Sequence, residues 1–113
     1  MVKRQTSPSR GDLIWLSLEP HAGHEQAGRR PALVLSPAAY NARTGLALCC
    51  PVTSRVKGNP FEVALPEGLP IAGVVLADQV RTLDWKARRT EFAALAPPEV
   101  VAEALGKLGT LLT

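Results

Sequence analysis

Long hydrophobic runs are missing from this 113-residue chain, and residues 1–11 are polar, with nothing resembling the apolar segment of a signal peptide. No stretch approaches the roughly 20 apolar residues that cross a bilayer, so a cytoplasmic protein without membrane contact is expected. Cysteine is scarce: Cys49 and Cys50 are the only two. Neighbouring side chains on a strand point to opposite faces, which excludes an easy disulfide between them and marks both as reduced packing residues. With only two histidines besides, in unrelated places, no zinc-ligand spacing exists, and neither a metal nor another cofactor is expected. Aromatic residues make up 4% of the chain. The fold can hardly spare them, so Trp15 and Trp85 are expected in the core rather than as platforms for stacked bases.

What is present is ordinary for a globular protein. Hydrophobic residues at 46% and charged residues at 20% exclude both pervasive disorder and a fibrous architecture. The length suits a single domain over 1–113 with one core, and at this size dimerisation is a natural way to cover leftover apolar surface. The net charge of +3 is unevenly spread: residues 1–60 hold eight Lys or Arg against three Asp or Glu, giving +5, and residues 61–113 hold five against seven, giving −2. Nine of the thirteen cations are Arg, whose planar fork suits phosphate. The first half is therefore the expected polyanion side.

Short apolar runs separated by Gly, Pro and Asn clusters predict antiparallel strands over 13–18, 32–35, 46–52, 61–65, 74–79 and 80–86, with a weaker edge strand over 89–95. A small β-barrel or sandwich follows. From Pro97 the rhythm changes: Val101, Leu105, Leu108 and Leu112 recur at helical spacing, with Val100, Ala104 and Leu111 widening the stripe. Pro97 and Pro98 suit the entrance of this helix and Glu99 its first turn. Gly106 and Gly109 weaken it, at about 1 kcal/mol each, so packing has to hold it in place.

Three polar clusters sit where strands end. Residues 19–30 place Glu19, His21, His24, Glu25, Gln26, Arg29 and Arg30 among glycines between two apolar strands; Thr53-Ser54-Arg55 follows the third strand; Asp78-Gln79 follows the fifth. Loops held by strands are favoured functional positions. A guanidinium, hydroxyls, carboxylates and a carboxamide brought together suit a phosphodiester.

Five words in order carry a family resemblance. They are Gly11-Asp12-Leu13-Ile14-Trp15, the run from Glu25-Gln26-Ala27-Gly28-Arg29-Arg30-Pro31 to Ser36, Cys50-Pro51-Val52-Thr53-Ser54, Lys57-Gly58-Asn59-Pro60-Phe61-Glu62-Val63, and Leu76-Ala77-Asp78-Gln79-Val80-Arg81-Thr82-Leu83-Asp84-Trp85. Together they resemble the MazF/PemK/Kid family of toxin endoribonucleases over essentially the whole chain. The resemblance implies a mainly β fold, an SH3-like small β-barrel with a C-terminal α-helix, working as a homodimer. It also implies metal-independent cleavage of single-stranded RNA at short sequences through the ribose 2′-hydroxyl, leaving 2′,3′-cyclic phosphate and 5′-hydroxyl ends. A cognate MazE-like antitoxin with an acidic, flexible tail is the implied partner.

The family's catalytic Arg before Pro and the Thr of its Pro-x-Thr-Ser word fall on Arg30 and Thr53. A guanidinium is a poor proton shuttle, its pKa being above about 12, so Arg30 is read as an electrostatic stabiliser rather than a base. Glu25 matches a family word and is the candidate base. His24, with an ordinary pKa near about 6.5, is chemically suited to proton transfer but occupies a position that varies in the family. Arg29, His24, Gln26, Ser54, Arg55, Lys57 and Gln79 are the expected RNA-binding residues, Asp78 orients the loop or reads base edges, and loops 20–28, 55–60 and 66–73 are the expected readers of sequence. Two other readings use the same barrel: a CcdB-like toxin that inhibits gyrase without cutting RNA, and a noncatalytic RNA-binding module.

Overall fold

In the computed structural model, which describes residues 6–17 and 28–113, seven antiparallel strands and two helices follow one another along the chain. They are β1 (Asp12–Ser17), β2 (Arg29–Val34), α1 (Ala38–Thr44), β3 (Leu46–Thr53), β4 (Glu62–Ala64), β5 (Val74–Leu76), β6 (Arg81–Asp84), β7 (Glu91–Leu95) and α2 (Pro98–Gly109). The sheet order is β4-β5-β3-β2-β1-β7, and β6 pairs with β3. The expected mainly β architecture with a late helix is therefore present, every predicted strand included. The strand expected over 74–79 is shorter, because the chain leaves β5 after Leu76 and re-enters the sheet at Arg81.

β3 is the central element. It meets β2 along one edge, while its other edge is shared by β6 at Leu46–Cys49 and by β5 at Val52 and Thr53. None of its residues is exposed and its buried ones point to both sides, Ala47 and Cys49 to one face and Cys50 and Val52 to the other. On one face Leu13, Leu33, Cys50, Val52, Val63 and Val75 pack with Val100 and Ala104 of α2. On the other, Ile14, Leu16, Ala32, Val34, Ala47, Cys49, Leu83 and Trp85 form a second cluster. Cys49 and Cys50 thus lie in different clusters as free thiols, as their alternation requires.

Burial pushes the Cys49 thiol from 9.0 up to about 12, with its neighbour Cys50 adding to the shift. Burial raises Cys50 to about 11, with a further push from Asp78. Up to about pH 9 both folded and unfolded chains hold these protons; above it the unfolded chain releases them and the folded one does not. Stability is expected to fall as pH rises from 9 toward 12, and the urea midpoint of a Cys49→Ala, Cys50→Ala double variant should decline less steeply over that window than wild type.

The helix α1 was not expected. It is seven residues long and closes on Gly45 at φ 76, whose N–H bonds Asn41 O. Its fully buried residue is polar: Asn41 donates to Pro8 O (2.8 Å) and Ser36 O (3.0 Å), accepts from Ser36 Oγ (2.6 Å), and through its backbone oxygen accepts Trp85 Nε1–H (2.9 Å). Every donor on the Asn41 side chain is used, which is the condition for keeping an amide in a core. Trp85 is accordingly core, as expected, and Trp15 is partly buried against the first cluster.

In α2 the buried positions are Val100 and Ala104, with Val101 and Leu108 beside them, while Leu105 is exposed, as are Leu111 and Leu112 beyond the helix end. The core seam is therefore rotated from the expected Val101–Leu105–Leu108–Leu112 line. Its last turn is held by Lys107, whose Nζ donates to Glu62 O (2.9 Å) and pairs with Glu103 (3.0 Å). No helix among the described residues is long and apolar enough to cross a membrane.

Candidate active site

The second apolar face does not run the full length of the sheet. Alternation in β2 puts Arg30, Ala32 and Val34 on that face, and β1 pairs Leu16 with Arg30. Alternation in β3 puts Ala47, Cys49, Pro51 and Thr53 there too, with Ala32 opposite Pro51. Continuing that register two residues sets Arg30 opposite Thr53. Beyond Ala32 and Cys49 the face thus turns from apolar to polar, and a cleft of about 600 Å³ opens there.

Leu16, Ala32, Cys49 and Leu83 contribute apolar lining; Arg30, Thr53, Ser54, Arg55, Gln79 and Arg81 contribute the polar groups, and no Asp or Glu among the described residues lines the cleft. None of the three guanidinium groups has a hydrogen-bond or ion-pair partner among the described residues. Thr53 Oγ1 accepts the Arg55 backbone N–H at 3.1 Å, a local side-chain-to-backbone bond that occupies an acceptor site and leaves the hydroxyl proton free to donate. Cations with no partner among the described residues, sharing a cleft with a hydroxyl donor, suit a strand that carries several anionic oxygens. The Cys49 thiol in this lining, with its pKa pushed up to about 12, stays protonated and is neither nucleophile nor shuttle at neutral pH.

The end of β3 is fixed from its other edge. Thr53 pairs with Val74, and Gly73 (φ 120) lies so close that a Cβ there would stand 2.1 Å from Thr53 O. Gly73 is thus the residue that lets the β4–β5 hairpin approach the Thr53 backbone.

Of the residues singled out in the sequence, Arg30, Thr53, Ser54, Arg55 and Gln79 meet in this cleft. Arg29 does not. One residue from Arg30, it points to the other face, where Nη2 pairs with Glu91 Oε1 (2.8 Å) and Nη1 donates to Arg89 O (3.0 Å) and Ser17 Oγ (3.3 Å). Glu91 is 73% exposed, so this pair contributes at most about 1 kcal/mol to stability. Lys57 is exposed outside the cleft lining, in a turn whose Lys57 and Gly58 N–H groups both donate to the Glu62 carboxylate. Asp78 is exposed and does not line the cleft. Glu25, His24 and Gln26 lie outside the described residues. Among the described residues, no group of three or more His, Cys, Asp and Glu is placed to hold a metal ion.

Arg81 was missed. The signal was available: in a strand over 80–86, residues 81 and 83 share a face, and Leu83 is apolar while Arg81 is not. β6 sets Arg81 opposite Cys49 and Leu83 opposite Ala47, which carries the guanidinium onto the cleft face.

A family model described as PemK-like, MazF-like toxin of type II toxin–antitoxin system matches residues 9–112. Over 112 residues the chain is 46% identical to the endoribonuclease toxin MazF of Escherichia coli K12, covering 99% of both chains. It is 43% identical over 119 residues to the Escherichia coli endoribonuclease PemK, covering 100% of this chain and 88% of that one. Among solved structures, MazF from Deinococcus radiodurans superposes with a TM-score of 0.85 at 63% identity, covering 96% of this chain and 98% of that one. A MazE–MazF structure from the same organism gives a TM-score of 0.86 at 57% identity, covering 96% and 97%.

Proposed function

The chain belongs to the PemK-like, MazF-like toxins of type II toxin–antitoxin systems, and from that premise we propose that it is a sequence-selective endoribonuclease cutting single-stranded RNA without a metal. The observation that carries this reading is an Arg30 with no partner among the described residues, set across the sheet from Thr53 on a cleft face that no described acid lines. The ribose 2′-oxygen attacks the adjacent phosphorus, the bond to the 5′-oxygen breaks, and the products are a 2′,3′-cyclic phosphate and a 5′-hydroxyl. Negative charge grows on the nonbridging oxygens as the new bond forms. Arg30 and the Thr53 hydroxyl stabilise it, being already placed and needing no reorganisation. Glu25, in the same sequence word as Arg30, takes the 2′-hydroxyl proton, and the departing 5′-oxygen takes its proton from water. Ser54, Arg55 and Gln79 hold the strand along the cleft.

As in the MazE–MazF structures of the relative, an antitoxin is the proposed partner; its acidic tail matches the arginines of the cleft, and the active form is a cytoplasmic homodimer. Purified protein freed of antitoxin is expected to cut a long single-stranded RNA in excess EDTA at one recurring short motif, with cyclic phosphate at the mapped ends. Intact RNA of varied sequence after that incubation overturns the nuclease reading and directs the search to a protein target such as gyrase.

A further inference from the structure

We infer that Arg81 binds a backbone phosphate other than the one cleaved, making it a positioning residue that sets the RNA strand along the cleft. The inference rests on the nuclease reading above. Arg81 lines the same cleft as Arg30 and Thr53, is exposed, and has no partner among the described residues. It is level with Cys49 on β3, and Thr53 lies four residues further along that strand. Strand rise puts about 13 Å between the two backbone positions, so Arg81 and the Arg30–Thr53 pair enter the cleft toward different ends. The lining between them is largely apolar and uncharged, with Cys49, Pro51 and Gln79, so it offers room to a sugar and base rather than to a second charge. A guanidinium at one end and the Arg30–Thr53 pair at the other therefore match successive charges of a strand that spans the cleft. Such a contact fixes register without reading sequence.

The experiment compares wild type, Arg81→Gln and Arg81→Lys, first on cleavable RNA and then on the mapped RNA site carrying 2′-deoxyribose at the cut nucleotide, with binding measured across salt concentrations. Arg81→Gln is expected to raise KM roughly tenfold, to leave kcat within about twofold and the cut position unchanged, and to lower the magnitude of the log–log salt slope by about 0.7, one single-strand phosphate contact. Arg81→Lys should keep the slope, which separates charge from a structural effect. An unchanged slope and KM in Arg81→Gln, beside a wild type that binds and cuts, overturns this inference alone. A collapse of kcat at unchanged KM also overturns it, since Arg81 would then act at the cleaved phosphate. Failure of wild type to bind RNA overturns the nuclease reading and this inference with it.

Discussion

Arg30→Ala is expected to lower kcat for RNA cleavage by about 10² to 10³, the cost of removing one preorganised donor from a developing oxyanion. KM should change far less, because Arg55 and Arg81 remain in the cleft to hold the strand. Unfolding should hardly move: Arg30 is exposed and has no hydrogen bond or ion pair among the described residues, so its removal orphans no buried group. Thr53→Ala should lose a similar factor, but Thr53→Ser, which keeps the hydroxyl, should recover most of it. The double variant is expected to fall little below either single one, because groups acting on the same charge are not additive. Arg30→Lys should restore only part of the rate, since an ammonium supplies charge without the two-pronged geometry. Single-turnover cleavage of the mapped RNA, with circular dichroism on each variant, checks all five. An Arg30→Ala enzyme that retains most of its kcat removes Arg30 from the chemistry.

Gly73→Ala should be the most destabilising of the substitutions considered. The added Cβ would meet Thr53 O at 2.1 Å, Thr53 C at 2.8 Å and Ser54 Cα at 3.0 Å, all backbone atoms of a strand end that cannot swing aside as a side chain does. The backbone at φ 120 is itself outside what an L side chain adopts without strain. Strain and clash together are expected to cost about 3 kcal/mol or more, read as a fall in the urea midpoint. Gly58→Ala is the control: φ is 83 but nothing lies within 4 Å of the new Cβ, so only left-handed strain of about 1 kcal/mol is at stake. Any folded Gly73→Ala protein should also cleave poorly, because relief of the clash moves the backbone that carries Thr53. Equal stability of the two glycine variants would dismiss the close approach at Gly73.

The strands were legible because each is short, apolar and bounded by turn residues, and the late helix because Pro97 and Pro98 announce it. The helix α1 was not, since seven residues give no periodicity to read and its inward residue, Asn41, is polar. What makes Asn41 a core residue is four partners contributed by residues 8, 36 and 85, none of which spacing reveals. Arg29 and Arg30 are the sharpest case. As letters they are equivalent phosphate ligands; pleating sends one to Glu91 and the other into the cleft. Arg30 and Thr53 were found as words of a family, yet their meeting depends on the β2–β3 register, which neither word contains.

The double-sided pairing of β3 bears on how such a site is silenced. Thr53 ends a strand whose two edges are both hydrogen-bonded, and its side chains serve both apolar clusters. Segments of this kind exchange their amide protons only in the global opening, whereas frayed ends and loops open on their own. The strand that carries the hydroxyl is thus the strand that carries the core, and displacing its backbone disturbs both clusters. Covering this site and competing for its cations therefore costs an inhibitor less than moving the strand beneath it.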